Sequence, residues 1–99
     1  MAEHPLDTMK KIDPRFIDHL RSTDDLVYAD GALPRKVKLL MALAFDAAHG
    51  AAEGVRALAQ QALKAGATKE EIAEAVRVAY QLSGVGSVYT ASRGLKDIA

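Results

Sequence analysis

The stretch PRKVKLLMALAFDAAHG, residues Pro34–Gly50, decides the fold. Pro34 suits the start of a helix, where a missing N–H costs nothing, and Gly50 suits the position just past a helix end. Between them Val37, Leu40, Met41, Ala44 and Ala48 recur at i, i+3, i+4, i+7 and i+11, and Leu39, Leu43 and Ala47 fill a second stripe. That spacing predicts a helix from about Pro34 to about His49. A helix apolar on two faces is a central one. Its own chain buries one face, and another subunit is expected to bury the other.

Helical punctuation continues on both sides. Downstream, a helix is expected over about 51–65, with Val55, Leu58, Ala59, Ala62 and Leu63 inward, Arg56, Gln60 and Lys64 outward, and Gly66 ending it. Thr68-Lys69-Glu70-Glu71 reads as a capping box, in which Thr68 caps the amide of Glu71 and Glu71 reaches back. The helix it opens carries Ile72, Ala75, Val76, Ala79 and Tyr80 as a buried stripe and stops at Gly84. Gly84-Val85-Gly86 then reads as a tight corner into a last helix, from about Ser87 to Asp97, with Val88, Tyr89, Ser92, Leu95 and Ile98 inside. Upstream, Asp13-Pro14 is a cap followed by a first-turn proline, opening a helix with Phe16, Ile17 and Leu20 on its apolar stripe. Asp24, Asp25 and the Asp30-Gly31 pair mark a turn region. Residues 1–11 read as a peripheral arm in which Pro5, Leu6 and Met9 can pack against a neighbour. No segment alternates as a strand would. The expectation is an all-α protein, one domain over residues 1–99, of about five helices assembling by helix packing into a symmetric oligomer.

Composition agrees. Of 99 residues, 49% are apolar and 26% charged, which describes a globular chain. Roughly a fifth are Ala, there is no Trp, and Phe and Tyr number two and three. Alanine favours helix but buries little surface, so the core is thin and self-association is the ready way to add burial. Thirteen basic and thirteen acidic residues give zero formal net charge. A nucleic-acid partner is therefore not expected, since phosphate binding needs a basic excess. The chain holds no cysteine, which excludes disulfides, thiolate nucleophiles and thiolate-held metals. Met1–Lys11 lacks the apolar core of a secretory signal, and the longest uncharged run, Val78–Ser92, is too short to cross a bilayer. No membrane association and a cytoplasmic location are expected.

The order of these pieces resembles a known family. Pro34-Arg35-Lys36-Val37-Lys38-Leu39-Leu40-Met41-Ala42-Leu43-Ala44, then Ala62-Leu63-Lys64-Ala65-Gly66-Ala67, then Thr68-Lys69-Glu70-Glu71-Ile72 and Glu74, is similar to the carboxymuconolactone decarboxylase family, which includes the alkyl hydroperoxide reductase D proteins. The likeness covers roughly residues 5–90. It implies an all-α fold whose subunits form trimers or hexamers. The family's peroxidase branch carries a Cys-x-x-Cys motif at the start of one helix, a His four residues after the second Cys, and a Glu on the preceding helix. Those positions fall here on Ala51, Gly54, Leu58 and Leu39. Thiol peroxidase chemistry is therefore excluded. The decarboxylase branch keeps the His, so Leu58 also weakens a lactone-decarboxylase reading.

A few residues remain as candidates for chemistry. His49 lies at a helix end, beside the region where the resemblance places the active site, and imidazole suits proton transfer at neutral pH. The same placement has a structural reading, since a histidine in the last turn complements the helix dipole. Asp46, His49 and Glu53 stand at i, i+3 and i+7, but Gly50 breaks the helix between them, so no metal is expected. Arg35, Lys36 and Lys38 crowd a helix N-terminus, where cations oppose the dipole. They form either an anion pocket or three solvated side chains. Tyr80 and Tyr89 sit on apolar stripes and fit a core or an interface, with Tyr80 a candidate ligand contact. Two functions follow. The first is an oligomeric scaffold or binding protein for a small hydrophobic or anionic ligand, with no cofactor, whose ligand contacts are Arg35, Lys36, Lys38 and Tyr80. The alternative is a cofactor-free enzyme doing acid–base chemistry on a small carboxylated substrate, with His49 and Glu53 as its catalytic groups.

Overall fold

The computed structural model describes residue 4 and residues 6–99. Pro5, one of the arm residues expected to meet a neighbour, lies outside the described residues. Six helices and no strand form the regular structure among the described residues. The chain divides into two compact units, one ending at Asp30 and one spanning Gly31–Ala99.

The first unit holds α1 (Asp7–Ile12) and α2 (Pro14–Val27). The segment read as an arm thus contains a short helix. Asp7 sits in its first turn and Lys10 and Lys11 in its last, each complementing the dipole, but α1 buries no residue. It has no apolar stripe, which is why periodicity does not reveal it. Asp13 ends α1 and caps α2, its carboxylate accepting from the Phe16 N–H at 3.2 Å, with Pro14 following as the first helical residue. Asp24 and Asp25 lie inside α2, not in a turn. Their side chains stay exposed, and the helix continues until the Tyr28 N–H closes on the Asp24 carbonyl.

The second unit holds α3 (Arg35–Ala48), α4 (Ala52–Lys64), α5 (Lys69–Ser83) and α6 (Gly86–Gly94). Pro34 precedes α3, and Gly50, Gly66 and Gly84 end α3, α4 and α5 with positive φ. The capping box is present in full. The Thr68 hydroxyl accepts from the Glu71 N–H at 3.1 Å, and the Glu71 carboxylate accepts from the Thr68 N–H at 2.9 Å. Glu71 also binds Lys36 at 3.0 Å, tying the N-terminal ends of α5 and α3 together.

The core is small and alanine-rich. Leu43, Ala47, Val55, Ala59, Ile72, Ala79 and Ala91 are buried together, with Leu40, Leu58, Leu63, Val76, Leu95 and Ile98 packed half-buried around them. Burial of this kind requires close backbone approach. At Gly94 an added Cβ would lie 2.6 Å from the Ala52 carbonyl oxygen and 2.7 Å from the Val55 Cβ, so α6 meets α4 through a residue with no side chain. That contact sets the roll of α6. Ser87, Thr90, Ala91 and Gly94 turn inward, while Val88, Tyr89 and Ser92, expected inside, face out. Helix α6 ends at Gly94, three residues before the expected Asp97. Tyr80, expected on the buried stripe of α5, is 50% exposed.

Candidate functional site

Helix α3 has the two apolar faces read from its sequence. Leu39, Leu43 and Ala47 are buried. Val37, Leu40, Met41, Ala44 and Ala48, joined by Phe45, line one wall of a cavity of about 390 Å³. The opposite wall is α5, through Ala75, Val78, Ala79, Leu82 and Ser83. Both walls follow helical spacing, since Ala75, Val78, Ala79 and Leu82 stand at i, i+3, i+4 and i+7 on α5. The stripe is legible in the sequence, but it lies beside the Ile72–Ala79 stripe that faces the core. The cavity is an open groove, and Met41, Phe45, Val78 and Leu82 are exposed along it. Its one polar side chain, Ser83, donates its hydroxyl to the Ala79 carbonyl.

The corner between α3 and α4 holds the acid–base candidates. His49 is the residue that ends α3, its ring exposed and stacked on Phe45 with centroids 6.3 Å apart. Glu53 is exposed in the first turn of α4, where its charge complements the dipole. No ion pair joins the two among the described residues. Asp46 holds the more unusual position. Its carboxyl group lies where a Cβ on Gly54 would have to be, with Cγ 2.8 Å from that point. Burial pushes this carboxyl above its ordinary value, and the nearby His49 pulls it partly back. Its backbone carbonyl accepts from the Ala51 N–H at 2.8 Å and closes the corner. Among the described residues no cluster of His, Asp or Glu is arranged to hold a metal ion.

The other candidates are dispersed. Lys36 is engaged by Glu71, and Arg35 and Lys38 have interaction partners as well. Tyr80 is absent from the groove lining. Phe45, Val78 and Leu82 do line it, and the sequence reading of the site passed over all three.

The positions where the resemblance expects redox groups carry no replacement chemistry. Ala51 is the residue before α4, Gly54 is in its first turn, Leu58 is half-buried in the same helix, and Leu39 is fully buried in α3. Among the described residues no helix is long and apolar enough to cross a membrane.

Comparison with known proteins places this architecture. No curated protein matches the sequence significantly. The apo crystal structure of a carboxymuconolactone decarboxylase family protein from Legionella pneumophila matches with a TM-score of 0.83 at 28% identity, over 92% of this chain and 81% of that one. The sequence model of the same family matches residues 14–97. The chain therefore belongs to the carboxymuconolactone decarboxylase family, as an all-helical member without a cysteine.

Proposed function

We propose that this chain works by binding: a homo-oligomeric family member without thiol chemistry that holds a small, neutral, apolar molecule in the α3–α5 groove. The observation that carries this reading is the lining, ten apolar residues and one serine whose hydroxyl is already hydrogen-bonded. The volume of about 390 Å³ falls within the range of roughly 300–1,000 Å³ common for small-molecule sites. An anionic ligand fits poorly, because a carboxylate buried there would lose water and gain no partner. Proton transfer has no agent in the groove, since no titratable side chain lines it. The cysteine-free sequence removes the thiolate that thiol peroxidase chemistry would need.

The test is uptake of a neutral, environment-sensitive fluorophore such as N-phenyl-1-naphthylamine. Wild-type protein should enhance its emission, and Ala48→Trp should abolish the enhancement by filling the groove. Ala48 is exposed and outside the core cluster, so the variant should keep its helical circular dichroism. A wild type that leaves the dye dark, or a tryptophan variant that binds it equally well, would overturn the proposal.

A further inference from the structure

The groove between α3 and α5 is long and narrow. Its α3 wall runs from Val37 to Ala48, which at roughly 1.5 Å per residue is about 16 Å. A volume of about 390 Å³ spread along that length leaves a cross-section of about 24 Å², less than a third of that of an α-helix about 10 Å across. Residue size gives the groove its shape. Ala79 is buried and Ala44 and Ala75 are half-buried at the floor, while Met41, Phe45, Val78 and Leu82 stand 48%, 63%, 58% and 83% exposed along the edges. Small side chains below and large ones at the rims make a trough. Its two ends differ. At the end marked by Val37 and Ala75 the Lys36–Glu71 ion pair joins the walls, Lys36 being the residue before Val37 and Glu71 lying one turn before Ala75. At the other end Ala48, Leu82 and Ser83 are exposed, and the chain turns away from the two helices at Gly50 and Gly84, both with positive φ.

We infer that this trough holds a single unbranched alkyl chain of about 12 to 14 carbons, with its tail at the Lys36–Glu71 end and its neutral polar head in water beyond Ala48 and Ser83. The trough's length sets the number of carbons, since an extended chain advances about 1.2 Å per bond. Its cross-section sets the number of chains, because the second tail of a two-chain lipid would be left in water. Its lining sets the chemistry. No charged side chain lines it, and the one polar side chain, Ser83, stands at the open end with its hydroxyl already given to the Ala79 carbonyl. Each methylene therefore leaves water for an apolar wall, which strengthens binding about fourfold. This inference rests on the groove-binding part of the proposed function and names the class and shape of the ligand.

The test is equilibrium dialysis of the whole chain against n-alkyl maltosides from octyl to hexadecyl, each below its micelle-forming concentration. Their sugar head is neutral and too wide for the trough. Affinity should tighten about fourfold per carbon up to about 13 carbons and level off beyond. Val37→Trp fills one helical turn at the end joined by the ion pair, about 5.4 Å, and should bring the levelling point down to about nine carbons. If that variant loses its helical circular dichroism, Ala75→Phe at the same end should lower the levelling point instead. Maltosides that do not bind, an affinity independent of chain length or still climbing through hexadecyl, or a levelling point that the filled variant leaves in place would overturn the inference. Uptake of the fluorophore, blocked by Ala48→Trp, would in each of those cases still uphold the groove as a binding site. A dark fluorophore together with unbound maltosides would overturn both.

Discussion

Asp46 and Gly54 constrain each other, and the α3–α4 corner depends on that pairing. In the native background Gly54→Ala drives a Cβ into the Asp46 carboxyl group. With Asp46→Ala in place the collision is gone, and the alanine keeps only its helix-propensity advantage of about 1 kcal/mol. Denaturant unfolding of the four proteins of this cycle should therefore show Gly54→Ala destabilising with Asp46 present and stabilising without it. Simple additivity would contradict the contact. The pH dependence follows from the same burial. Asp46 holds its proton more tightly in the folded chain than at its ordinary value of 3.8. Its favourable contribution is complete below that value and is lost as pH rises through the raised one. Asp46→Asn should accordingly raise the melting temperature at neutral pH. The gain is a fraction of a kcal/mol, because the carboxylate still meets solvent.

Among the elements, α5 is the most securely specified. Thr68→Ala should cost about 1 kcal/mol, read as a lower denaturation midpoint, because an N-terminal amide loses its cap. Glu71 titrates in the opposite sense from Asp46. The Thr68 backbone N–H, then the Lys36 ammonium, hold its carboxyl below the ordinary 4.5. Its contribution is present above that value and lost as pH falls through the lowered one, so Glu71→Gln should flatten the acid limb of the stability profile. The caps Asp13 and Thr68, the helix-start prolines Pro14 and Pro34 and the terminal glycines were all legible in the sequence, since each acts within four residues of itself. The roll of α6 was not. That helix mixes Ser, Val, Tyr, Thr and Ala around its whole circumference, and the close approach of its Gly94 to Ala52 and Val55, far away in sequence, chooses the inward side. Helix α1 escaped the reading because it buries nothing, and Asp24-Asp25 misled it because exposed aspartates bias a chain toward turns without forcing one.

For the whole molecule, alanine content foretold a thin helical core, and the doubly apolar α3 was expected to give its second face to another subunit, whereas that face lines a groove opposite α5 of the same chain. The groove's α3 wall was legible because Val37, Leu40, Met41, Ala44 and Ala48 repeat cleanly. Its α5 wall was obscured because two apolar stripes overlap at Ala75 and Ala79, and periodicity alone does not say which one the core takes. The chemistry candidates, His49 and Glu53 at the α3–α4 corner and Arg35, Lys36 and Lys38 at the start of α3, lie outside the groove lining. The central claim, that this family member works by binding within an assembly, is tested most directly by native mass spectrometry of the protein as purified. The account predicts an integer multiple of the 10.6 kDa chain carrying a small added mass that mild denaturation removes. A bare single chain would contradict it.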